Sequence, residues 1–284
     1  MTRHGTGTGP KAGPAAGAPA RPGPAALTAA IDEALARQRA YEQARATRLG
    51  RGAERLTRPL GAALGRLIPA EMVRRALAAA DAAATLTLPA ELTRHDADDI
   101  AACEAAALRA QAWAQGGGAA AGGVAGWLGP AGLALDLPAT IALAARTVRA
   151  TAAAYGFPGD DEAERAFRLA VLELAASIAE EERGRRIARI NAMARTLASP
   201  EARAATEWLV DKLAERVARQ LGLSLAARKT GQVVPILGGI VAAAVNASYQ
   251  ADVARAARYA YRQRWLIARR ALPAHPQPAT EVEP

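Results

Sequence analysis

Alanine occupies 79 of the 284 positions in this chain, and that excess alone restricts what it can fold into. Ala is the best helix former and a poor strand former, because its methyl group loses no rotamer freedom in a helix and covers little of a pleated surface. Two Phe, five Tyr and four Trp supply few of the large side chains that sheets pack together. The chain is therefore expected to be all-α, and it is long enough to bury a sizeable core. Of its 36 basic residues, 33 are Arg and three are Lys (Lys11, Lys212 and Lys229), and the formal charge is +9. Such a balance suits nucleic acid, anionic lipid or acidic partners. Scarce Lys beside abundant Arg, Ala, Gly and Pro is also what a GC-rich genome produces, so only part of the charge is a footprint of function.

The two ends read as tails. Residues 1–26 are rich in Gly, Pro and Ala and cannot bury enough surface to offset chain entropy; residues 273–284 read the same way. No apolar stretch near the start has the length a secretory signal needs, so the expectation is a cytoplasmic protein, peripheral at the inner face of the cell membrane. Between the tails, residues 27–272 are expected to form a single multi-helix bundle. Helices are expected over 28–49, over 69–86 behind Pro69, and from an Asp96 N-cap to Ala114. A further helix starts at Asp136, carries Leu137, Ile141, Ala144, Val148, Ala152 and Tyr155 on one face, and stops at Gly156 and Pro158. Asp160 and Asp161 open the next, and Ser199-Pro200-Glu201 opens another. The acidic Glu180-Glu181-Glu182 followed by Arg183, Arg185 and Arg186 changes sign at an expected helix end or junction, where acid first and base later suit helix pairing and dipole compensation.

Two stretches carry no charge at all. The first runs from Ala110 to Leu135 and the second from Thr230 to Ala251. Each is longer than the ~20 residues that cross a bilayer core, but both are built from Ala and Gly, which drive insertion weakly. In the first, Gly118, Gly122 and Gly126 recur every four residues, so another backbone can approach that face closely. These segments are expected to form closely packed central helices. After the second comes a basic helix reaching about Ala271, with Arg255, Arg258, Arg262 and Arg269 as a stripe near Tyr249, Tyr259, Tyr261 and Trp265. Basic residues interleaved with aromatics suit a helix lying in a lipid interface, so these four arginines are the candidates for anionic-lipid binding. A plain solvated face is the competing reading, and nucleic acid the least favoured.

Two blocks resemble a known family. Residues 134–157, ALDLPATIALAARTVRATAAAYGF, resemble a characteristic segment of the EcsC family, in which a Gly-rich apolar stretch leads to an Asp-x-Pro helix start and the helix ends in Tyr-Gly. Residues 234–266, VPILGGIVAAAVNASYQADVARAARYAYRQRWL, resemble its C-terminal part. The likeness covers roughly residues 70–270 and places Asp136, Tyr155, Gly156 and Asn246 at motif positions without assigning them a role. It implies a bacterial, all-helical protein of unestablished activity. The founding member is encoded beside the components of an ABC transporter, which implies accessory work at a membrane.

Catalytic signatures fail. No HExxH, GxSxG or GxxxxGK[ST] occurs, and Lys229-Thr230-Gly231 has no accompanying Ser-x-x-Lys. The GGGAA at 116–120 follows a helix instead of a strand, which is the wrong setting for a dinucleotide loop. Cys103 is the single cysteine, and His4, His95 and His275 offer it no convincing base. No metal site and no cofactor are expected. The favoured reading is a non-catalytic, membrane-associated accessory protein whose partner is a membrane surface or a membrane protein complex. The alternatives are a hydrolase-like enzyme with a helical pocket around Asp136, and a soluble scaffold or nucleic-acid-associated protein using its Arg-rich surface.

Overall fold

The computed structural model describes residues 22–44, 70–127, 129–177, 180–199, 213–221, 238–269 and 271–272, with the side chains of 70, 72, 74, 81–82, 84–87, 117–137 and 238–245 outside that description. Among the described residues every regular element is helical, as the alanine content dictates. The first helix, α1, is Pro24–Gln43 and begins three residues before the expected tail boundary, with proline in its first turn where a missing N–H costs nothing. Then come α2, Ala70–Thr87, and a 3-10 turn at Ala90–Leu92.

The next two helices correct the sequence reading. Helix α3 is Ile100–Trp127 and α4 is Gly129–Ala154, so the glycines at 116–118 do not interrupt the first and Asp136 does not start the second. Asp136 is the eighth residue of α4 and cannot be its N-cap. Pro138 lies inside the helix, not in its first turn. Glycine lowers helix propensity by ~1 kcal/mol per residue but does not forbid the conformation, so a Gly-rich run is no reliable terminator. The cap of α3 also moves. Asp99, not Asp96, accepts the N–H groups of Ala101 and Ala102, at 2.9 and 3.3 Å, while Asp96 accepts that of Asp98 at 2.9 Å and shapes the preceding turn.

The end of α4 falls where expected. Phe157 N–H donates to the Ala152 carbonyl at 2.9 Å and Gly156 N–H to that of Ala153 at 3.0 Å, the paired bonds of a Schellman cap. The cap needs a left-handed residue, and Gly156 has φ +82°. A Cβ there would also stand 3.0 Å from that of Ala97. Gly156→Ala is therefore expected to destabilise the chain by about 1–3 kcal/mol, read as a lower denaturant midpoint at constant slope. A shift equivalent to under ~0.5 kcal/mol would remove the conformational argument.

Helix α5 is Glu162–Ala175, capped by Asp161, which accepts the Glu164 N–H at 2.9 Å. Helix α6 is Glu180–Thr196, with three glutamates in its first turn and Arg195 in its last, so both ends of the dipole are compensated. Residues 213–221 are helical too, but the Ser199-Pro200-Glu201 start lies outside the described residues. The last helix, α7, is Gly238–Ala268.

Helix α7 is the axis of the bundle. It packs most extensively on α3 and also touches α1, α4, α5 and α6. From Ala256 to Ala257 and Tyr259 to Ile267 its residues are buried on every side. Contacts set the directions of its neighbours. Trp265 Nε1 donates to the Ala97 carbonyl at 2.7 Å while Arg262 reaches Glu104, so α3 runs antiparallel to α7. Gln250 reaches the Thr140 carbonyl at 3.2 Å while Arg262 and Tyr155 share Glu104, so α4 runs parallel to it. The core mixes many alanines with Leu and Ile, and Tyr155, Phe167, Tyr249, Tyr259, Tyr261 and Trp265 are its fully buried aromatics.

Candidate functional site

A helix buried on all faces is ordinarily apolar all round. Helix α7 instead buries Arg262, Gln263 and Arg264, each about 4–6% exposed. A buried charge is tolerated only with a partner and hydrogen bonds, and the two guanidiniums find theirs on different helices.

Arg262 meets Glu104 of α3. The inward face of α3 is Ile100, Cys103, Ala106, Ala107 and Ala110, and Glu104 falls within it at 4% exposure. Its Oε1 accepts the Arg262 Nε–H and, at 2.5 Å, the hydroxyl of Tyr155 from the end of α4. Its Oε2 lies 3.6 Å from Arg37 Nη1 of α1. Arg262 Nη1 donates to Gln38 Oε1 at 3.0 Å, and Gln38 Nε2 donates to Gln263 Oε1 at 2.8 Å and to the Tyr259 carbonyl at 3.2 Å. One carboxylate thus ties α1, α3, α4 and α7 together. Half-buried Arg258 adds a further positive charge near it.

The protonation states follow from this geometry. Burial pushes the Glu104 carboxyl up, but the hydrogen bond and charge of Arg262, helped by the Tyr155 hydroxyl, outweigh it and hold the group below its ordinary range. Burial and then the Glu104 charge push the Tyr155 phenol well above its ordinary value. Around neutrality Glu104 stays ionised and Tyr155 stays protonated, so the cluster fixes charge and helix register instead of exchanging protons.

Arg264 meets Glu164 of α5 in a bidentate pair at 2.6 and 2.7 Å, with both side chains 3–4% exposed. Its guanidinium lies 4.2 Å from the Phe157 ring centroid and 4.9 Å from that of Phe167. A third cluster closes α1 onto α6: the Tyr259 hydroxyl donates to Glu42 at 2.5 Å and sits 2.8 Å from the Asn191 amide oxygen, with Tyr41 stacked on its ring at 4.5 Å.

The four candidate lipid-binding arginines do not form one outward stripe. Arg255 is exposed and pairs with Asp252, Arg269 is exposed and pairs with Asp98, Arg258 is half-buried, and Arg262 is inside. The aromatics expected at an interface, Tyr249, Tyr259, Tyr261 and Trp265, are all core residues. The motif positions fare differently. Tyr155 is part of the Glu104 cluster and Gly156 is the helix cap. Asn246 is 2% exposed, one turn before Gln250 on α7. In the parallel register of α4 and α7, Asp136 stands at the same level, one turn before Thr140. Its side chain lies outside the described residues, as do the surroundings of Gly118, Gly122 and Gly126, although the backbone through all three glycines is helical.

Cys103 is buried, and desolvation followed by the charges of Asp99 and Glu104 pushes its thiol up to about 12. It is a core thiol with no thiolate character. His95 is occupied with the Ala154 carbonyl at 2.8 Å. Among the described residues no three His, Cys, Asp or Glu side chains are grouped to hold a metal ion.

The sequence reading missed Glu104, Gln38, Glu164 and Arg264. For Glu104 a signal exists: it follows Ile100 by four and precedes Ala107 by three, which puts a carboxylate on an apolar helix face. For Arg264 none exists, since the helix shows no polar side. No curated protein and no solved structure matches this chain. A family model does, over residues 29–266. That span includes α1 through most of α7 and hence every buried ion pair described above: the chain belongs to the EcsC protein family.

Proposed function

We propose that this chain is a non-catalytic helical accessory protein that associates peripherally with the inner face of the cell membrane and serves a membrane protein complex, an ABC transporter being the one its family membership favours. The observation that carries the reading is on α3. Leu108 and Trp113 are large hydrophobics left 47% and 49% exposed, and they sit where the chain enters its 26 uncharged residues from Ala110 to Leu135. No described helix is long and apolar enough to cross a membrane, which favours surface contact over a span. The buried ion pairs support a scaffolding role, because they lock helix positions.

Fractionation of cells expressing the full chain tests this. The protein is expected in the membrane pellet at low salt and in the supernatant after an alkaline carbonate wash. A wholly soluble pool at low salt would overturn the proposal. Resistance to carbonate would replace peripheral contact with insertion.

A further inference from the structure

We infer that the outward face of α3 is the surface that docks on an anionic lipid bilayer; the inference rests on the membrane association proposed above and names the face and the lipid chemistry. Among the described side chains of α3, the exposed positions are Ala101, Ala105, Leu108, Arg109, Ala112, Trp113 and Gly116, recurring every three or four residues along one side. No carboxylate falls on that side. Its single charge is Arg109, which has no ion-pair partner among the described residues, one turn before Trp113.

Three observations favour a bilayer as the occupant. The face holds Trp and Arg one helical turn apart, and those two side chains sit together at the headgroup level of a membrane, the indole between acyl chains and water and the guanidinium on phosphate. Trp113 also borders a crevice with Pro89, Leu92, Leu143 and Arg146, so a second Arg lines the same crevice. Finally, the helix backbone continues to Trp127 through a sequence without a charge, and the chain returns as α4 from Gly129. Ala, Leu and Trp without a wide apolar arc give shallow burial, which makes anionic phosphate a necessary part of the affinity.

The face also explains where membrane contact moves once α7 is seen to be central. Arg262, Arg264, Arg255 and Arg269 are met by Glu104, Glu164, Asp252 and Asp98, and Arg258 is half-buried near Glu104, whereas exposed Arg109 is left for an external anion.

The test is co-sedimentation of the full chain with vesicles of phosphatidylcholine alone and of phosphatidylcholine with phosphatidylglycerol. Wild type should partition onto the anionic vesicles and, for lack of phosphate attraction, much more weakly onto the neutral ones. Leu108→Ser with Trp113→Ala should lower binding to anionic vesicles by about tenfold or more. Arg109→Gln should lower it by about fivefold and leave the neutral vesicles unaffected. All three side chains are exposed, so circular dichroism and thermal midpoints should match wild type. An exposed arginine on another helix supplies the control, Arg185→Gln on α6, which should bind as wild type does.

Wild-type binding that survives both α3 changes would overturn the docking face while leaving peripheral membrane association intact. No wild-type binding to either vesicle, together with a soluble pool in cells, would overturn both. A concentration-dependent dimer that the Leu108/Trp113 double change abolishes, with no vesicle binding, would assign the face to a second copy of the chain and likewise overturn the inference.

Discussion

Glu164→Gln is expected to destabilise the chain by about 3–5 kcal/mol, a loss large enough to unfold many domains of this size. The carboxylate makes two hydrogen bonds, at 2.6 and 2.7 Å, to an Arg264 guanidinium that is enclosed by Phe157, Phe167 and Tyr261. Removing its charge leaves a cation inside a shell that offers ring faces and no anion. Ring quadrupoles contribute at most ~2 kcal/mol to a desolvated cation, well short of what water supplied in the unfolded chain. The double substitution Glu164→Leu with Arg264→Met should recover most of the loss, because apolar residues of similar volume replace a buried pair at little net cost. Chemical denaturation of Glu164→Leu, Arg264→Met and the double closes the cycle. Additive losses would show that the pair does not interact as drawn, and a single-variant loss below ~1 kcal/mol would place both groups in water.

Glu104→Gln should cost about 3 kcal/mol for the same reason, and it should also change how stability responds to acid. The native carboxyl is held below its ordinary value, so the unfolded chain takes up the proton first on acidification. Stability from this group is complete above the ordinary carboxylate range and is lost as pH falls through the native value. The glutamine variant lacks that group, so its acid limb should be flatter as well as lower. Tyr155 works in the opposite direction. Its phenol is raised in the native state, so stability is full below the ordinary tyrosine value and is lost as pH climbs above it. Tyr155→Phe should flatten the alkaline limb and remove one donor to Glu104 without moving the acid midpoint by more than the lost hydrogen bond, ~1 kcal/mol. Denaturant midpoints measured from acid to alkaline pH separate the two. An unchanged acid limb in Glu104→Gln would mean that the carboxylate is not ionised in the fold.

Much of the local structure is legible in the residues themselves. Asp161 caps α5 because a short carboxylate reaches the free N–H groups of a first turn, and Gly156 ends α4 because the Schellman turn needs a positive φ. The sign change at Glu180–Glu182 marks a junction in the sequence, and the structure makes it the start of α6, whose positive end those carboxylates compensate. The capping logic failed at Asp136. An Asp two residues before a proline has the look of a start, but nothing in the Gly-rich stretch before it actually stops a helix, so α4 passes straight through. The site was less legible than the fold. Tyr155 was singled out by its place in a motif, while its partner Glu104 sits in an alanine run where a lone carboxylate reads as a solvated position.

Composition and capping alone determine that this chain is helical and roughly where most of its helices lie. Which helix stands at the centre is decided only by tertiary packing. Periodicity locates a buried face by contrast between large apolar and polar residues, and alanine removes that contrast because a methyl group suits core and surface alike. Along α7 the arginines were therefore the only visible pattern, and they suggested an outer face. The long aliphatic stems of Arg262 and Arg264 pack like apolar side chains, and their charges are met by glutamates more than ninety residues away in sequence, a pairing that no local rule contains.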